Sequence, residues 1–138
     1  MKQTKKFGSL LIIVFALFFI FSTFMMATEC NDKALSQILC YKGEKPGTGP
    51  GISTLKLTVG ESVTITAKGV DDEGKNVPIC PTWKADSELS LRPVLGKGRS
   101  IIIKALKPAI AAFVTATVIT EDGKKVTCDI AVEVKETN

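Results

Sequence analysis

From Ile52 onward, apolar and polar residues alternate with a period of two. Leu55, Leu57 and Val59 are interleaved with Lys56 and Thr58, and Val63, Ile65 and Ala67 with Thr64, Thr66 and Lys68. Gly60 and Glu61 interrupt the run, so the pattern predicts two half-buried strands joined by a turn. "DDEGKN" supplies the next turn before "VPICPTWKAD", and shorter strands are expected around Leu89–Leu91 and Ile101–Ala105, separated by "GKG". Val114, Ala116 and Val118 then face away from Thr115 and Thr117. "EDGKK" reverses the chain, and Val126, Cys128, Ile130, Val132 and Val134 mark a long last strand. Seven strands recurring every 8–12 residues or so predict an all-β chain folded as an antiparallel sandwich, with no helix after residue 52.

The pattern changes upstream. In "TECNDKALSQILCYK", Asn31 or Asp32 can cap a short helix that places Ala34, Leu35, Ile38 and Leu39 on one face. "GEKPGTGPG", from Gly43 to Gly51, carries four glycines and two prolines and reads as a linker. It is no phosphate-binding loop, because the lysine and hydroxyl residue that end such loops are missing and no strand is expected before it. The first 27 residues open with Lys2, Lys5 and Lys6 and continue uncharged from Phe7 to Thr28. The apolar run from Leu10 to Ala27 exceeds a typical cleaved leader and reaches the ~18 residues that just span a bilayer. Met25 stands where a cleavage site wants a small residue, so a cleaved signal peptide and a retained membrane anchor both remain open. Lysines held on the cytoplasmic side place the remainder outside in either case. Glu29 before Cys30 excludes a lipoprotein leader, and Ile13 stands where a pilin-type helix carries glutamate. Three segments follow: 1–27 as leader or anchor, 28–51 as a Cys-containing segment and linker, and 52–138 as one folded domain.

Charge matters only after the leader is set aside. The whole chain carries a formal +4, and loss of the three leader lysines leaves +1. A nearly neutral domain lacks the clustered Lys and Arg that hold phosphate, so no nucleic-acid partner is expected.

"LKLTVGESVTITAKG", "PTWKAD" and "FVTATVITEDGKKVTCDIAVEV" stand in the order and spacing of a known module. From about Ile52 to Val134 the chain resembles the group-2 bacterial immunoglobulin-like domain of intimin-type and invasin-type adhesins. It departs from that pattern at "LSLRPVLGKGRSIIIKALKPAIAA", where Pro108 and an Ala-rich stretch replace a small glycine-containing step. The resemblance implies an immunoglobulin-like β-sandwich with Trp83, the only tryptophan, filling the space between two sheets. The core residues expected around it are Val63, Ile65, Val114, Val118, Ile130 and Val132.

Four cysteines in an exported chain read as a disulfide framework. Positions 30, 40, 80 and 128 contain no close pair and the chain has no histidine, which argues against zinc. A helix over 31–39 holds Cys30 and Cys40 about 15 Å apart, beyond disulfide reach, so helix and local bridge exclude each other. Cys80 and Cys128 lie at one end of the sandwich, with the sixth strand expected between them and opposite inward–outward parity. The expected pairing is Cys80 with Cys128 and Cys30 with Cys40, followed by Cys40 with Cys80.

No catalytic residue, cofactor or metal site is expected. The absence of histidine excludes Ser-His-Asp and Cys-His catalysis, and no Cys-x-x-Cys is present. "DDEG" and "EDG" offer too few oxygens for calcium and supply turn geometry instead. Two non-enzymatic functions fit. One is a binding or adhesion module at the cell surface, holding a protein or carbohydrate by its loops or a strand edge. The other is a structural accessory or spacer in an envelope assembly, joined to the membrane by the N-terminal segment if that is uncleaved.

Overall fold

The computed structural model describes residues 30–93, 96 and 98–138. The leader or anchor expected over 1–27 lies outside the described residues.

Among the described residues nine strands form two facing sheets. They are β1 (Gln37–Lys42), β2 (Thr54–Thr58), β3 (Ser62–Val70), β4 (Asn76–Val77), β5 (Thr82–Ala85), β6 (Leu89–Arg92), β7 (Ser100–Ala105), β8 (Ala109–Ile119) and β9 (Lys125–Lys135). One sheet has the order β1-β3-β7-β6, with β4 paired to β3, and the other β2-β9-β8-β5. Every pairing is antiparallel except β2 with β9, which is parallel from Thr54↔Ala131 to Thr58↔Lys135. This is the connectivity of an immunoglobulin-like sandwich whose first strand is divided between the sheets.

Alternation explains which side chains meet between the layers. On β7, Ile101, Ile103 and Ala105 are buried while Ser100, Ile102 and Lys104 face out. On β9, Val126, Ile130, Val132 and Val134 are buried. The core joins Ile65 and Ala67 of β3 to Ile101 and Ile103 on one side, and to Val114, Ala116, Val118, Ile130 and Val132 on the other. Val63 is half-buried and packs against this cluster. Trp83 of β5 is 3% exposed. Its backbone N–H donates to the Gly96 carbonyl at 2.6 Å and its indole Nε1–H to the Gly98 carbonyl at 2.8 Å, so the ring is buried with its one polar atom satisfied. Among the described residues no buried side-chain nitrogen or oxygen lacks a partner.

The segment expected to be a short helix is instead partly the edge strand β1, paired antiparallel to β3 from Gln37↔Val70 to Lys42↔Ile65. The i, i+3, i+4 spacing of Leu35, Ile38 and Leu39 is real but incidental. What decides is the period-two set Ile38 and Cys40, which continues the inner face of the sheet. The sandwich therefore begins before residue 52. The expected linker is a loop tied back onto β1: the Tyr41 hydroxyl donates to the Gly49 carbonyl at 2.5 Å, and Gly47 lies against the Tyr41 ring. Pro108 and the Ala-rich stretch give a bulge, one extra residue between Ala109 and Ala112 opposite Val134 and Val132, which turns Ile110 outward.

At Gly69 of β3 the side chains of Leu35 and Ile79 and the backbone of Val77 pack directly on the glycine. A Cβ there would stand 2.6 Å from Ile79 Cγ2, 2.7 Å from the Val77 carbonyl oxygen and 2.9 Å from Leu35 Cδ1. Gly69→Ala is expected to cost about 1–3 kcal/mol by overpacking, and Trp83→Ala about 3–5 kcal/mol through the cavity it leaves. Urea unfolding followed by circular dichroism checks both values.

Candidate functional site on the outer face of the second sheet

The antiparallel register of β5, β8 and β9 places their outward side chains in rows. Thr82, Thr117 and Thr127 form one row, and Lys84, Thr115 and Asp129 the next. The Thr115 hydroxyl donates to Asp129 Oδ1 at 2.7 Å, which fixes both side chains on the surface. Apolar residues interrupt this polar face along β8: Phe113, near the middle of the strand, is 49% exposed and Ile119, at its end, 67%. Six residues of strand separate them by about 20 Å. Between Ile119, Thr117, Thr82, Lys84 and Lys125 lies a hollow of about 610 Å³ whose rim is the Cys30–Cys80 bridge. Hydroxyl donors and acceptors, two ammonium groups, the Asp32 carboxylate and an aliphatic wall suit it to reversible polar binding. The buried surfaces of the same strands are wholly committed to the core.

The bridge joins Cys30 to Cys80, with Cα atoms 5.7 Å apart. This replaces the expected Cys80–Cys128 and Cys30–Cys40 pairs, and also Cys40–Cys80. Parity is the reason. Ile79, Pro81 and Trp83 point inward, so Cys80 points out, whereas Cys128 is in phase with Val126 and Ile130 on the inner side. β8 also stands between β5 and β9. Cys30 reaches the outer side of Cys80 because the Asn31 N–H donates to the Pro78 carbonyl at 3.1 Å. Cys40 and Cys128 are not part of this bridge; Cys40 is buried and Cys128 half-buried.

The structure brings Trp83, Ile65, Val114, Val118, Ile130 and Val132 together in the core, with Val63 at its margin. None of them reaches the outer face. The outward residues were readable as the polar half of the alternation. Phe113 and Ile119 were readable as apolar residues at outward positions, a signal that attention to the inward half passes over.

The two acidic turns hold their own backbone. Asp71 Oδ1 accepts the N–H groups of Glu73 and Lys75, each at 2.9 Å. In the β8–β9 hairpin, Thr120 is buried, its hydroxyl donating to Asp122 and accepting the Lys124 N–H at 3.0 Å. That hydroxyl, with backbone N–H groups of the turn, holds the Asp122 carboxyl below its usual range. Among the described residues no three acidic, cysteine or histidine side chains converge to hold a metal ion.

No family model and no curated protein matches the chain. Solved structures similar to it include a nucleoside hydrolase-related hypothetical protein from Saccharophagus degradans associated with carbohydrate metabolism, with a TM-score of 0.48 and 10% identity. That similarity covers 75% of this chain and 26% of the other, so this chain spans about a quarter of that protein's length. A chain of the titin–obscurin-like 1 Ig complex has a TM-score of 0.35 and 17% identity over 62% of this chain and 88% of its own. A chain from a mutant form of that complex has a TM-score of 0.35 and 15% identity, over 62% and 87%.

A carboxyl whose pKa is lowered by folding adds stability above its unfolded value, and that stability disappears as pH falls through the lowered value. The hairpin contribution of Asp122 is therefore expected to be complete at neutral pH and lost only in acid. In Thr120→Val, the Asp122 titration followed by NMR is expected to move up toward the ordinary carboxylate range.

Proposed function

We propose that the chain is an exported, non-enzymatic immunoglobulin-like binding module of the group-2 bacterial type. On this reading the outer face of β5, β8 and β9 is presented to a protein or carbohydrate at the cell surface. The observation that carries the reading is the exposure of Phe113 and Ile119 at either end of a threonine- and lysine-lined face. Apolar side chains on a hydroxyl-rich surface have no role in closing the core, and they supply the desolvated contacts on which polar recognition is built. Export is supported by the lysine-led apolar segment and by the Cys30–Cys80 bridge, which persists in oxidising compartments. The group-2 assignment rests on "LKLTVGESVTITAKG", "PTWKAD" and the final hairpin.

Cells displaying the full chain are expected to be retained on a panel of immobilised glycans and surface proteins. The double substitution Phe113→Asp with Ile119→Asp is expected to reduce retention at least tenfold, about 1.4 kcal/mol or more of binding. Both positions are exposed, so the thermal midpoint is expected to stay within a few degrees. Equal retention by the two forms, together with wash-resistant membrane association, would replace the binding role with that of a structural accessory.

A further inference from the structure

Cys40 and Cys128 occupy the corner at which the chain passes from one sheet to the other. Cys40 continues the inward set of β1 after Ile38 and is 1% exposed. Cys128 continues the inward set of β9 between Val126 and Ile130 and packs against the same core. β2 covers the edge of β9 only from Ala131 onward, so beside Cys128 that edge is not covered by β2, and β1 packs against β9. Two consecutive residues tie the strands at this point. The Ile52 N–H donates to the Cys40 carbonyl at 2.7 Å, and the Ala131 N–H donates to the Ser53 carbonyl at 2.9 Å. Gly51, at φ +78°, allows the approach, since a Cβ there would stand 2.6 Å from the Cys40 carbonyl oxygen. The two side chains stand close enough for each to be the largest influence on the other's ionisation: Cys128, and then burial, raises the Cys40 thiol, while Cys40 lowers Cys128 against its own burial. The Asp129 carboxylate opposes ionisation of both.

We infer that Cys40 and Cys128 form a second disulfide that joins the first strand of one sheet to the last strand of the other. The oxidant is a disulfide, RSSR, of the compartment in which Cys30–Cys80 forms. Cys128 is the more exposed sulfur and the better thiolate. It attacks RSSR, giving Cys128–S–S–R and one RS⁻, which takes the Cys128 proton. Cys40 then attacks the Cys128 sulfur, the mixed disulfide breaks, and the second RS⁻ takes the Cys40 proton. Two protein thiols lose two electrons and two protons, and RSSR becomes two RSH. The resulting loop encloses nearly the whole sandwich, where a cross-link constrains the unfolded chain most.

The test uses the full chain isolated from an oxidising compartment, incubated with oxidised glutathione, denatured in N-ethylmaleimide and digested without reductant. Mass spectrometry is expected to find Cys40 and Cys128 peptides joined, beside the Cys30–Cys80 pair. The intact mass is expected about 4 Da below that of the reduced chain, two hydrogens per bridge. Alkylation of both Cys40 and Cys128, or linkage of either to Cys30 or Cys80, overturns the inference. The double variant Cys40→Ala with Cys128→Ala is expected to lower the thermal midpoint by roughly 10 °C relative to the oxidised chain. If that variant does not fold, the peptide linkage in the unaltered chain decides alone. Binding to surface ligands plays no part in either measurement, so the result is independent of the proposed function.

Discussion

The chain must leave one sheet and enter the other between Lys42 and Thr54, and the remaining architecture depends on how that crossing is held. β1 closes the edge of β3, and a few residues later β2 lies parallel to β9 in the opposite layer. A continuous first strand would extend one sheet and leave the other with an uncovered edge at β9. The division covers one edge of each sheet with a single stretch of chain, which limits unpaired backbone open to other chains. It is fixed by backbone hydrogen bonds from Ile52 to Cys40 and from Ala131 to Ser53, and by the Tyr41 hydroxyl on Gly49. The glycines and prolines between them are the means of turning twice within a short span.

With the crossing held, the two inner faces close on each other, and here the magnitudes favour packing over charge. The ion pairs Lys33–Glu121, Lys56–Glu133, Lys75–Glu73 and Lys135–Glu133 all lie on the surface at 3.0 to 4.0 Å. Exposed pairs of this kind contribute about 0–1 kcal/mol each. A fully buried Ile or Val contributes about 1.5–3 kcal/mol, and Ile65, Ile101, Ile103, Val114, Ile130 and Val132 are all at or below 1% exposure. Trp83 belongs with them in area, but its position is specified by its hydrogen bonds to Gly96 and Gly98, which seat the edge strand β5 against the loop before β7. The outer face of the same sheet keeps its register across β5, β8 and β9, and Thr82, Lys84, Thr115 and Thr117 line its hollow.

The sandwich itself was legible because alternation is a local property. Each strand from β2 to β9 with a buried and an exposed side wrote that division into its own residues, and Trp83 stood in the short segment that forms β5. Strand β1 was not legible as such. Its few apolar residues satisfy both a helical and an extended period, and only pairing with β3 distinguishes them. The two-residue strand β4 is too short to carry a pattern, and its place comes from Val77 and Asn76 lying opposite Gly69 and Val70. The rows of the candidate site were half legible: the polar residues could be read off each strand, but which of them share a row depends on register across β5, β8 and β9.

By itself, then, the order of residues determined that the chain from β2 onward would form extended segments and which side of each would be buried; the place of Trp83 between the layers followed from the family resemblance. Tertiary structure alone decided which cysteines meet. Side-chain parity is readable along a strand, yet the bridge also requires two Cα atoms to come within about 7 Å of each other. That distance depends on strand order and on the path of segments with no pattern of their own. The residues from Cys30 to Leu35 are such a segment. Their course along the outer side of Pro78 and Cys80 is set by the surface they lie on, and that surface exists only once both sheets have formed.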